Sequence, residues 1–122
     1  MPVNNSDQPL PVLLVIDDEE EFLETAEIFF RRRGFRVLTA SSEDEVFAAV
    51  SNGPVSYILV DYFLGEVDGL SLIAGIQQRV EKVALLSGYV SNDLAAQCDD
   101  MGVEVFRKPV DLGDISDFFH GK

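Results

Sequence analysis

Five side chains capable of chemistry stand at or just beyond the ends of short apolar runs in this 122-residue chain. Asp17 and Asp18 follow Val12 to Ile16, Asp61 follows Tyr57 to Val60, and Ser87 follows Val83 to Leu86. Lys108, before Pro109, comes soon after Val103 to Phe106. Each alone is ordinary: acids suit a helix start, Ser-Gly suits a turn, and a lysine before proline suits a solvated loop. Together they make three carboxylates, one hydroxyl and one amine. Two carboxylates about 5 Å apart repel by roughly 3 kcal/mol at an effective dielectric near 20, so three in one cleft require compensation. A lysine and a hard divalent cation supply it. Mg²⁺ takes oxygen ligands, commonly one or two carboxylates with waters and a phosphate oxygen. An acidic site of this kind admits a phosphoryl group once its own charge is neutralised.

The elements that must position these groups alternate. Val12 to Ile16 and Tyr57 to Val60 are continuous apolar runs, as expected of strands covered on both faces. Arg36 to Thr39, Val83 to Leu86 and Val103 to Phe106 read as three more strands. Between them lie helical patterns. The first has Phe22, Leu23, Ala26, Phe29 and Phe30 on one face, acids at its start, Arg31 to Arg33 in its last turn and Gly34 at its end. Others run from Ser42 to Val50, with Val46, Phe47 and Val50 inward, from Gly69 to Arg79, from Asn92 to Met101 and from Asp111 to Phe119. A loop is expected from Asp61 to Asp68, and residues 1–10 read as a flexible polar lead. Such alternation predicts right-handed βαβ units, hence an α/β, doubly wound, single-domain (βα)5 sandwich with helices on both faces of a parallel sheet. Ligands then bind beyond the carboxyl ends of the strands, where strand order reverses.

On these residues the sequence resembles the response-regulator receiver domain of two-component signalling. The likeness rests on the acidic pair after the first strand, the Asp after the third, Ser after the fourth and Lys-Pro after the fifth. Phe35 to Ala40 and Asp68-Gly69 add to it, and it covers residues 10 to 120, with the domain placed at 11–120. It implies a flavodoxin-like, five-stranded parallel sheet of order 2-1-3-4-5. It also implies that Asp61 is the phosphoacceptor, attacking a phosphohistidine of a histidine kinase or phosphotransfer protein. Asp17, Asp18 and Asp61, with the backbone carbonyl of Phe63, would hold Mg²⁺. Lys108 would pair first with Asp61 and then with a phosphoryl oxygen, and Ser87 would bond another and report occupancy. The chain would catalyse only its own phosphorylation and dephosphorylation, and would switch conformation to alter binding of a downstream protein partner.

Four positions depart from the family pattern. Leu64 and Gly65 stand where Met-Pro is usual, and Ser87 replaces the commoner Thr. Val105 occupies the position of the usual switch aromatic; by alternation its neighbour Phe106 faces the other side, unless a bulge turns it. Phe63 and Tyr89, each two residues beyond a site residue, are candidates to screen a phosphoryl group from water, or are ordinary half-exposed loop rings. His120 reads as a surface residue and Cys98 as a small buried hydrophobe.

Three rival readings fit these residues less well. A flavodoxin-like cofactor binder needs a phosphate-cradling loop after the first strand, and Asp17-Asp18-Glu19-Glu20 has the wrong sign. A Mg²⁺-dependent phosphohydrolase lacks a second acid two residues after Asp61 or Asp17. A phosphorylation-independent, receiver-like binding module leaves the carboxylates, hydroxyl and lysine unexplained. Composition narrows the rest. Twenty-two acids against nine bases give −13, which argues against direct nucleic-acid binding or docking on an anionic membrane. With 47% hydrophobic residues a core is assured. One cysteine and no leader-like segment suggest the cytoplasm. The acids of the last two helices, and of the strand between them, suggest a basic protein partner. A stand-alone regulator and a receiver belonging to a larger regulator or hybrid kinase fit equally.

Overall fold

The computed structural model describes residues 9–122, so most of the expected N-terminal lead lies outside the described residues. Numbering the strands of the main sheet, the elements are β1 (Val12–Ile16), α1 (Glu20–Arg31), β2 (Arg36–Ala40), α2 (Glu43–Ser51), β3 (Tyr57–Asp61), α3 (Gly69–Ala74), β4 (Lys82–Ser87), α4 (Asn92–Met101), β5 (Glu104–Arg107) and α5 (Leu112–His120). All neighbours pair in parallel, in the order β2-β1-β3-β4-β5. The reversal of strand order therefore falls between β1 and β3, and their ends carry Asp17 and Asp61.

Alternation along each buried strand splits the core in two. Leu14, Ile16, Ile58, Val60, Val83 and Leu85 face α2, α3 and α4, meeting Val46, Ile73, Leu94 and Cys98. Leu13, Val15, Leu59, Ala84 and Leu86 face α1 and α5, meeting Phe30, Ile115 and Phe119. Covering both faces explains why these strands read as unbroken apolar runs. Cys98 is buried as a core hydrophobe, and its surroundings push its thiol pKa up. His120 is exposed but not idle: it stacks on Phe35 at 4.4 Å between ring centroids, and its Nε2 lies 2.7 Å from the Arg33 carbonyl.

Local expectations changed at three places. The stretch 61–68 is not all loop: Phe63–Leu64 and Val67–Asp68 form a two-stranded antiparallel hairpin turned at Gly65, which has φ +77°. The third helix stops at Ala74, capped at Gly75, and Gln77–Arg79 continues only as a 3₁₀ turn. Its apolar period survives, because Leu72, Ile73 and Ile76 are all buried. Phe47 is 44% exposed rather than inward. Helix α2 covers the edge strand β2 through Val46, and the next residue lies about 100° around the helix from that narrow stripe.

Candidate functional site

Backbone hydrogen bonds fix the strand ends that carry the five groups. The Asp17 N–H donates to the Ala40 carbonyl (3.1 Å), Tyr62 N–H to Leu86 (2.8 Å) and Lys108 N–H to Ser87 (2.9 Å). These ties hold the ends of β1, β3, β4 and β5 in a common edge. Gly69, which opens α3, donates to the Tyr62 carbonyl (2.6 Å) and packs so tightly that a Cβ there would overlap the Asp61 carbonyl oxygen. That contact gives Asp68-Gly69 a physical reason: only glycine lets the hairpin fold back onto the end of β3. The Asp68 carboxylate caps the same helix, accepting from Ser71 N–H at 2.7 Å.

Asp17, Asp18 and Asp61 each place a carboxylate oxygen within 4.8 Å of the others. Asp17 is 2% exposed and Asp61 7%, while Asp18 lies open to solvent. Lys108 Nζ sits 2.8 Å from Asp61 Oδ1. Burial pushes the Asp17 pKa up to about 6; the hydrogen bond from Glu19 N–H opposes this, the Asp61 charge adds to it, Lys108 opposes it and Asp18 adds to it. For Lys108, burial disfavours the ammonium. The hydrogen bond and charge of Asp61, with the charges of Asp17 and Glu19, outweigh burial and hold its pKa above the ordinary value. One lysine thus faces several carboxylates, and negative charge remains in excess. An all-oxygen, hard donor set with surplus charge is the environment a divalent cation fits.

Four of the five side chains converge as expected. Ser87 reaches the same edge, with Lys108 directly beyond its β5 neighbour, but its hydroxyl is engaged locally. It is 1% exposed, donates to the Tyr89 carbonyl (2.7 Å) and accepts from Tyr89 N–H (3.3 Å). Phe63 and Tyr89 are 66% and 70% exposed, so neither ring is half-covered by the protein. Phe63 has a T-shaped contact with Tyr62 at 5.0 Å. The β4–β5 register runs without a bulge, from Ala84 opposite Glu104 to Ser87 opposite Arg107. Val105 accordingly packs with the α4-side core, and Phe106 packs on the other face, 5.8 Å from Phe118. Two contributors to the site were not singled out as such in the sequence. Glu19 supplies the N–H that binds Asp17 Oδ1 at 2.9 Å, and Tyr62 links β3, β4 and α3 through its backbone. Residue type carries no signal for Glu19 here, because the contact is made by its backbone N–H.

The family description "Response regulator receiver domain" matches residues 13–119. The chain belongs to the response regulator receiver domain family. This receiver domain is 31% identical over 106 residues to the acid tolerance regulatory protein ActR of Sinorhizobium medicae, covering 84% of this chain and 55% of that protein. It is 29% identical over 107 residues to the photosynthetic apparatus regulatory protein RegA of Cereibacter sphaeroides, covering 85% of this chain and 58% of that one. The chain thus spans about half the length of these curated relatives. A receiver domain from Clostridium thermocellum superposes with a TM-score of 0.82 at 27% identity, covering 92% of this chain and 93% of that one. A Burkholderia pseudomallei response regulator, crystallised with a phosphorylated aspartic acid, calcium ion and citrate, superposes with a TM-score of 0.80 at 33% identity, covering 88% and 65%. The receiver has the family's five-stranded parallel architecture, and none of its described helices is long and apolar enough to cross a membrane.

Proposed function

We propose that Asp61 accepts a phosphoryl group from a phosphohistidine on a histidine kinase or phosphotransfer protein, and that the resulting aspartyl phosphate changes how the domain binds a downstream protein. The observation that carries this reading is the 2.8 Å pair of Lys108 Nζ with Asp61 Oδ1, set beside two further carboxylates at the reversal of strand order. The phosphorylated aspartic acid and calcium ion of the Burkholderia relative support it.

In the transfer, an Asp61 carboxylate oxygen attacks phosphorus in line. The phosphorus–nitrogen bond breaks, and its electron pair returns to the imidazole. Lys108 holds one Asp61 oxygen before transfer, leaving the other as nucleophile, and afterwards neutralises a phosphoryl oxygen. Asp17, Asp18, Asp61 and the Phe63 carbonyl would hold Mg²⁺, which when bound offsets the charge of carboxylates and phosphoryl oxygens together. Ser87 exchanges its bond to the Tyr89 carbonyl for one to a phosphoryl oxygen, drawing the loop after β4 toward the site. We take residues 11–120 as the functional unit, acting in the cytoplasm and catalysing only its own phosphorylation and dephosphorylation.

Incubation with acetyl phosphate, with and without Mg²⁺, tests the reading. Wild type should acquire a base- and hydroxylamine-labile phosphoryl group only with Mg²⁺, and Asp61→Asn should acquire none. Metal-independent labelling, or equal labelling of the variant, would overturn it.

A further inference from the structure

One surface feature is not used by phosphoryl transfer. An open groove of about 510 Å³ lies between α3 and the C-terminal half of α4. Tyr62, Leu70, Ala74 and Met101 are the apolar half of its lining, the floor; Asp68 and Asp100 are the charged groups of its rim, and the uncharged Ser71 and Gln97 complete it. No basic residue lines it. Asp100 is exposed, and among the described residues the ion pairs are only Lys108 with Asp61 and Arg31 with Glu27. Neither rim acid has an ion-pair partner; Asp68 also caps α3 through Ser71, while Asp100 is free of side-chain hydrogen bonds among the described residues. The wall is also braced, because the Gln77 side chain donates to the Met101 carbonyl and ties the 3₁₀ turn to the end of α4.

We propose that this α3–α4 groove is a docking surface for a basic amphipathic helix of a partner protein, with apolar side chains seated on the floor and lysine or arginine at Asp68 and Asp100. Charge selects this occupant. A second copy of the chain would bring another −13 against an acidic rim, and an anionic ligand would meet the same repulsion. A metal ion finds no cluster here, since the grouped carboxylates of the described residues are those of Asp17, Asp18 and Asp61. An apolar floor with a charged rim is the arrangement by which grooves take amphipathic helices. The proposal does not depend on phosphorylation and is tested on the unmodified protein.

The probe is a fluorescein-tagged amphipathic peptide of leucine and lysine, titrated by anisotropy, with a glutamate-for-lysine version as control. Saturable binding of the basic peptide alone is expected. It should weaken about tenfold in Asp100→Lys, which reverses a rim charge, and at least as much in Ala74→Arg, which fills the floor. Asp117→Lys, an exposed reversal on α5, should leave it unchanged. Amide chemical-shift changes should centre on Leu70, Ala74 and Met101. Labelling by acetyl phosphate should be unaltered in both groove variants, which separates failure here from failure of the phosphoacceptor assignment. No saturable binding, retained affinity in Ala74→Arg, or equal loss in Asp117→Lys would overturn the proposal. So would self-association of wild type that Ala74→Arg abolishes, since the groove would then belong to a second copy.

Discussion

Asp17 is nearly sealed from water, yet the charged groups around it include two more carboxylates and a single lysine. Its folded pKa of about 6 exceeds the ordinary 3.8, so the metal-free fold favours the protonated acid. That contribution to stability is fully present below about pH 4 and is lost as pH rises through about 6. Urea denaturation without divalent metal should find Asp17→Asn more stable than wild type at pH 7, by about 1–3 kcal/mol, with the gap closing toward pH 4. A gap independent of pH would contradict this. At Lys108 the reverse holds: Lys108→Ala leaves Asp61 without its counter-charge, and labelling by acetyl phosphate should fall at least about tenfold while Mg²⁺ still binds. Ser87→Ala should still be labelled. It strands the Tyr89 backbone groups, at a cost of about 1 kcal/mol, and should lose the loop movement, read as unchanged Tyr89 amide shifts on phosphorylation.

Among the elements, the segment from the end of β3 to α3 is where sequence and structure diverge most. Two glycines there should respond oppositely to the same change. Gly69→Ala forces a Cβ into the Asp61 carbonyl and should cost several kcal/mol in denaturation. Gly75→Ala has open space and helical φ −83°, and should be neutral or stabilising by up to about 1 kcal/mol. Continuous runs such as Tyr57 to Val60 made the strands legible, because burial on both faces leaves only apolar side chains. The three carboxylates were legible because they follow such runs, and Lys108 because it precedes Pro109 just after the mixed run Val103 to Phe106. What escaped depends on partners distant in sequence or on the finer course of the backbone. The hairpin 63–68 forms by pairing only two residues per strand, too few for alternation to register. The end of α3 at Ala74 was hidden because Ile76 keeps the helical apolar period while packing from beyond the helix. The local bonds of Ser87 to Tyr89 left no trace in residue type. Phe106, by contrast, was placed correctly on the α5 side by alternation alone.

Across the whole molecule, charge is the dominant imbalance. Assigning three acids to the site leaves 19 acids against nine bases, or −10. Self-repulsion should therefore depress stability at low ionic strength. Raising NaCl from about 0.01 to 0.15 M shortens the screening length from about 30 to 8 Å and should raise Tm by a few degrees in wild type and Asp17→Asn alike. Mg²⁺ at matched ionic strength should add a saturable increment that Asp17→Asn largely loses; an equal gain in both would reduce the metal effect to screening. The central proposal is that Asp61 takes the phosphoryl group. The most direct measurement is peptide mapping by mass spectrometry after acetyl phosphate and Mg²⁺ treatment, with borohydride reduction to trap the acyl phosphate. The account predicts modification at Asp61 and at no other acid; modification at Asp17, Asp18 or a histidine, or an unmodified Asp61, would contradict it.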